Sequence, residues 1–146
     1  MHLSPNPPSR IFIIGYTSAW RLELTGTFRE QGFVVSFFED ARLAAYALTY
    51  ACPDAVVMDW AQAGPLGSLE FIERYGGLMP VLILTRHAVL IDVVQSLRAG
   101  AADYIRLPCF FPEILARVER AQAANPATKR RCNELAATAA LRNRAL

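Results

Sequence analysis

Five short apolar runs recur along the chain, at Ile11–Ile14, Phe33–Phe38, Ala55–Met58, Val81–Leu84 and Asp103–Leu107. Each interval between them carries apolar residues at helical spacing, so strand and helix alternate through the body of the sequence. A helix that links two strands of one sheet makes a right-handed crossover, which sets the strands parallel with their C-terminal ends on one rim. Such a sheet is covered by helices on both faces and needs strands that are apolar on both sides. The composition suits this, at 53% hydrophobic and 19% charged. A chain of 146 residues is the right size for one such domain with one core.

The helical segments can be read individually. In residues 18–31, Trp20, Leu24 and Phe28 fall at i, i+4 and i+8, and Gly32 supplies a stop. Asp40 is a cap for the second helix, whose inner face is expected to be Ala44, Ala47, Leu48 and Ala51. The third, about Leu66–Tyr75, should turn Leu69 and Ile72 inward; the fourth, Val89–Ala99, offers Leu90, Val94 and Leu97 to the core and stops at Gly100. The fifth has Pro112 in its first turn and Ile114, Leu115, Val118 and Ala121 on its buried face. The expected fold is α/β, a five-stranded parallel doubly wound sheet with five helices. Residues 1–9 read as a disordered lead-in, 10–124 as the domain, and 125–146 as a linker and C-terminal helical tail.

Several function classes are disfavoured. No apolar run approaches the roughly 20 residues needed to cross a bilayer. The N-terminus lacks the charged start and apolar stretch of a secretory signal, so a cytoplasmic location is expected. Cys52, Cys109 and Cys132 are odd in number and widely spaced, which fits incidental thiols better than a zinc site or a redox pair. A net charge of +2 is too small to imply nucleic-acid binding by the domain body. DNA contact is expected only through an output domain that this chain does not contain. No nucleophile–base pair, metal cluster or phosphate-cradling glycine loop marks an independent enzyme.

Ligand chemistry in doubly wound sheets gathers at the C-terminal rim, here Gly15, Glu39, Asp59, Thr85 and Leu107. An aspartate at that rim can accept a phosphoryl group, given a divalent metal and a cation to neutralise the phosphate oxygens. It can equally cap the following loop or hydrogen-bond to Thr85. Arg86 and His87, next to Thr85, read either as loop solvation or as positive charge beside Asp59. Glu39 and Asp40 read as capping or solvated acids more simply than as replacement metal ligands.

The run Pro53-Asp54-Ala55-Val56-Val57-Met58-Asp59, Gly67 eight residues on, Val81-Leu82-Ile83-Leu84-Thr85, and the stretch Ser96–Ile105 followed by Pro108 together resemble the receiver domain of bacterial two-component response regulators, the CheY-like superfamily. The resemblance covers about Arg10 to Gln122. It implies a flavodoxin-like strand order of 2-1-3-4-5, Asp59 as phosphoacceptor, and Thr85 and Tyr104 as switch residues. It also implies an interaction surface on the fourth helix, fifth strand and fifth helix, about Val89–Ala124, with Phe110, Phe111 and Arg117 as contributors.

The departures from the pattern are specific. Where the family has two adjacent metal-binding acids, this chain has Gly15 and Tyr16, and where it has a phosphate-binding lysine, the chain has Leu107. Asp59, with a backbone carbonyl near Ala61, is left as a weak metal ligand. The expectation is an atypical receiver acting as a signalling interaction module, with no cofactor and little or no magnesium-dependent phosphorylation. Its expected partners are other signalling proteins, a histidine kinase, a second receiver domain, or a second copy in a homodimer. One alternative is a working phosphoacceptor that uses magnesium and is phosphorylated on Asp59 by a histidine kinase. Another is a small-ligand sensor with a rim pocket lined by Gly15, Tyr16, Asp59 and Leu107. Either the receiver or its alternative could be the N-terminal part of a DNA-binding transcription regulator.

Overall fold

The computed structural model describes residues 8–15, 19–62, 67–87 and 89–124. Tyr16, most of the lead-in, Cys132 and all of 125–146 lie outside the described residues. In chain order the elements are β1 (Arg10–Ile14), α1 (Ala19–Glu30), β2 (Val34–Phe38), α2 (Ala41–Ala47), β3 (Ala55–Asp59), a 3₁₀ turn (Trp60–Gln62), α3 (Ser68–Tyr75), β4 (Val81–Thr85), α4 (Leu90–Ala99), β5 (Asp103–Arg106) and α5 (Phe111–Ala124). The strands are all parallel in the order β2-β1-β3-β4-β5, as the resemblance implied.

Strand alternation divides the core into two layers. Ile11, Ile13, Ala55, Val57, Leu82 and Leu84 face α1 and α5, where they meet Leu24, Phe28, Ile114 and Val118. Phe12, Ile14, Val56, Met58, Val81 and Ile83 face the other way, onto Ala44, Ala47, Phe71 and Ile72 of α2 and α3. Each central strand is therefore buried on both sides, which explains its uninterrupted apolar sequence.

The helix starts and stops follow local chemistry. Asp40 accepts a hydrogen bond from the Leu43 N–H at 2.9 Å and so caps α2, whose buried alanines allow it to lie close to the sheet. Gly100, at φ +120°, ends α4 in a conformation that favours glycine.

Two expectations need correction. In α3 the inward residues are Ser68, Phe71 and Ile72, with Leu69 only half-buried. In α4 the apolar stripe points outward: Leu90 is 78% exposed, Leu97 48% and Val94 37%. The side facing the protein carries Ser96, the one buried residue of the helix, with half-buried Asp92, Val93 and Ala99. The helical period was read correctly, but period alone does not say which face meets the core. Among the described residues Cys109 is a free thiol.

Candidate functional site

The sheet register brings the rim residues together. Ile14 pairs with Met58, Asp59 with Leu84, and Thr85 with Arg106, so the ends of β1, β3, β4 and β5 lie side by side. Asp59 shares the sheet face of Ala55 and Val57 and is half-buried. Its Oδ1 accepts a hydrogen bond from the Ala61 N–H at 3.0 Å, which is the loop-capping arrangement. Burial pushes its carboxyl above the usual carboxylate range, while the Ala61 N–H and the charge of Arg86 pull the other way. Arg86 is solvent-exposed, yet its charge is felt at the carboxylate.

Gly15, at the end of β1, lies beside this aspartate. Its φ is +153°, and its N–H donates to the Phe38 carbonyl at 3.0 Å, which ties the end of β1 to β2. A Cβ built on Gly15 would lie 2.9 Å from Asp59 Cβ, closer than two carbons can approach. Both the backbone conformation and the available space exclude a side chain here unless the strand ends move apart. The position where the resemblance called for a metal-binding acid is thus filled by the approach of β1 to Asp59.

Leu107 follows β5, is 6% exposed and packs in the α1–α5 core layer. Its N–H donates to the Thr85 carbonyl at 2.6 Å. The Thr85 hydroxyl both donates to the His87 carbonyl and accepts from the His87 N–H, each at 3.1 Å, and makes no bond to Asp59. Tyr104 lies near Thr85 on the opposite sheet face from Asp59. Its hydroxyl is buried, and the nearby Thr85 hydroxyl bonds to His87. Burial raises its pKa, with Asp92 adding to the rise and Thr85 opposing it. Trp60, immediately after Asp59, meets the Tyr104 ring edge-on at 6.2 Å between centroids.

The remaining expected surface residues differ among themselves. Phe110 is 75% exposed. Phe111 is half-buried against the core. Arg117 is held by Asp103 at 3.2 Å and Glu113 at 3.1 Å. The Trp60–Tyr104 contact escaped sequence reading because it joins the turn after β3 to β5, whose separation in the chain hides it. The adjacency of Trp60 to Asp59 was its one visible sign.

Magnesium needs several oxygen ligands in near-octahedral arrangement. Among the described residues no group of three or more His, Cys, Asp or Glu side chains could hold a metal. Asp59 is the single acid at the centre of the rim, Asp40 is committed as a cap, and Gly15 has neither a side chain nor room for one. The residues described here do not fit a magnesium site.

No protein-family model matches the chain. It is 30% identical over 119 residues to the virulence transcriptional regulatory protein PhoP of Salmonella typhimurium, covering 80% of this chain and 53% of that one. It is 37% identical over 91 residues to the transcriptional regulatory protein QseB of Haemophilus influenzae, covering 60% of this chain and 41% of the relative. A CheY-like receiver domain from Methanospirillum hungatei superposes with a TM-score of 0.74 at 20% identity, over 82% of this chain and 98% of that one. The receiver domain of a Pseudomonas aeruginosa sensor histidine kinase, with magnesium coordinated in its active-site cleft, gives a TM-score of 0.70 at 20% identity over 80% and 99% of the two chains.

Fold and rim together define a receiver domain of the CheY-like kind. Its sequence relatives are transcriptional regulatory proteins, so the chain is a receiver domain homologous to response regulators of two-component signal transduction. It spans about half the length of the curated relatives it matches. Receiver domains are signalling modules, and no helix among the described residues is long and apolar enough to cross a membrane.

Proposed function

We propose that the chain is an atypical receiver that signals as a protein-interaction module, with weak or no magnesium-dependent phosphorylation of Asp59. The observation that carries this reading is the approach of Gly15 to Asp59, 2.9 Å from a would-be Cβ, where a metal-binding side chain would have to stand. The lysine position reinforces it, since Leu107 is a core residue without charge. Loss of a metal and a cation from a phosphoryl-transfer site removes the electrostatic stabilisation that drives the reaction.

The interaction role draws support from α4, whose Leu90, Ile91, Val94 and Leu97 form an exposed apolar stripe. Phe110, in the loop after β5, is a further exposed apolar side chain. Its partners in this reading are signalling proteins, among them a second receiver domain or a second copy of the chain, and a histidine kinase. The chain works in the cytoplasm as part of a transcription regulator, the kind of protein its longer relatives are named as.

One observation favours the alternative of a working phosphoacceptor: Arg86 acts electrostatically on Asp59 and supplies a cation that Leu107 does not. Beryllium fluoride with magnesium, which mimics an aspartyl phosphate, separates the two. Tryptophan fluorescence is the readout, because Trp60 adjoins Asp59 and touches Tyr104. No saturable change is expected. A saturable change that disappears in Asp59→Ala would establish the phosphoacceptor instead.

A further inference from the structure

On the α1 side of the sheet, between α1 and the loop joining β5 to α5, lies a cleft of about 950 Å³. Clefts of this size are at the upper end of those that hold small molecules. Its apolar lining comes from Trp20 and Leu107, both buried, together with Phe111 of the first helical turn of α5. Leu107 thus has a second consequence. Besides removing charge from the rim, it gives this cleft a greasy floor.

Helix α1 contributes Gly26 to the lining, and a Cβ there would meet nothing within 4 Å. A glycine in a helix interior costs stability relative to alanine, and here it leaves open space facing the cleft. The charged residues divide by wall. Glu23 and Glu30 come from α1, while Arg86 and Arg106 come from the ends of β4 and β5. None of the four takes part in an ion pair among the described residues. Exposed charges of opposite sign, brought by different elements to one partly apolar cleft, complement a molecule that carries both charges on an apolar body.

We propose that this cleft binds a small zwitterion with apolar side groups, the size of a short apolar peptide. Its carboxylate lies toward Arg86 and Arg106 and its ammonium toward Glu23 and Glu30. The binding does not depend on whether Asp59 is phosphorylated, so the two ideas succeed or fail separately.

The probe is the dipeptide L-phenylalanyl-L-phenylalanine, compared with the same dipeptide acetylated at its N-terminus and amidated at its C-terminus. The Trp20 indole N–H is followed by NMR during titration of the whole chain. The free dipeptide is expected to give saturable shifts and to bind at least about tenfold more tightly than the doubly blocked form. Gly26→Leu adds a good helix former into open space and is expected to abolish the response. Arg86→Ala, at an exposed position, is expected to remove the advantage of the free carboxylate and serves if Gly26→Leu fails to fold. Absence of saturable shifts, equal binding of the free and blocked peptides, or an unchanged response in Gly26→Leu or Arg86→Ala would overturn the proposal.

Discussion

Asp59 is held in a setting that disfavours its charge. Burial raises its pKa and outweighs the Ala61 hydrogen bond and Arg86, so the folded state prefers the neutral carboxyl more than the unfolded chain does. An acid with a raised folded pKa binds more protons in the native state, and stability falls as pH rises from the unfolded pKa through the folded one. Above both values the full penalty is present. Asp59→Asn is therefore expected to raise the melting temperature at neutral pH and to leave it nearly unchanged in acid below the unfolded pKa. Thermal unfolding across that pH range checks this, and equal shifts at both ends would contradict it. Sequence was enough to put Gly15, Asp59, Thr85 and Leu107 at one rim. It was not enough to show that Gly15 closes against Asp59, or that Thr85 bonds to His87, because both depend on loop and strand-end geometry.

Among the elements, α4 separates what periodicity reveals from what it hides. Its apolar residues recur at the expected interval, but the helix lies on its small face, with Ser96 buried and its hydroxyl bonded to the Val93 carbonyl at 2.9 Å. A serine at the contact lets α4 sit close to α3 and β5, against which it packs. Two substitutions test the orientation. Leu97→Ser, on the exposed stripe, is expected to change unfolding free energy by no more than about 0.5 kcal/mol while weakening association with a partner or second copy. Ser96→Leu is expected to cost about 1–3 kcal/mol by overpacking. Chemical denaturation and sedimentation read the two effects, and a large loss of stability in Leu97→Ser would place the stripe in the core. The strands were more legible than the helices, since a strand buried on both faces is apolar throughout and leaves no choice of face.

At the scale of the whole molecule, the order of the sheet and the half-length match to PhoP and QseB describe a receiver domain whose curated relatives are longer regulators. The alternation of five strands with five helices made a parallel, doubly wound sheet readable through right-handed crossovers, while the strand order was what the family resemblance implied. The cleft beside α1 was not readable in advance, as it is built from residues of α1, β4, β5 and the start of α5 that only the fold brings together. The central claim is that this scaffold signals with little or no phosphoryl transfer to Asp59. Its most direct test is to incubate the protein with acetyl phosphate and magnesium and to measure the intact mass. The account predicts little or no phosphoryl adduct, and a near-stoichiometric adduct that is lost in Asp59→Ala would contradict it.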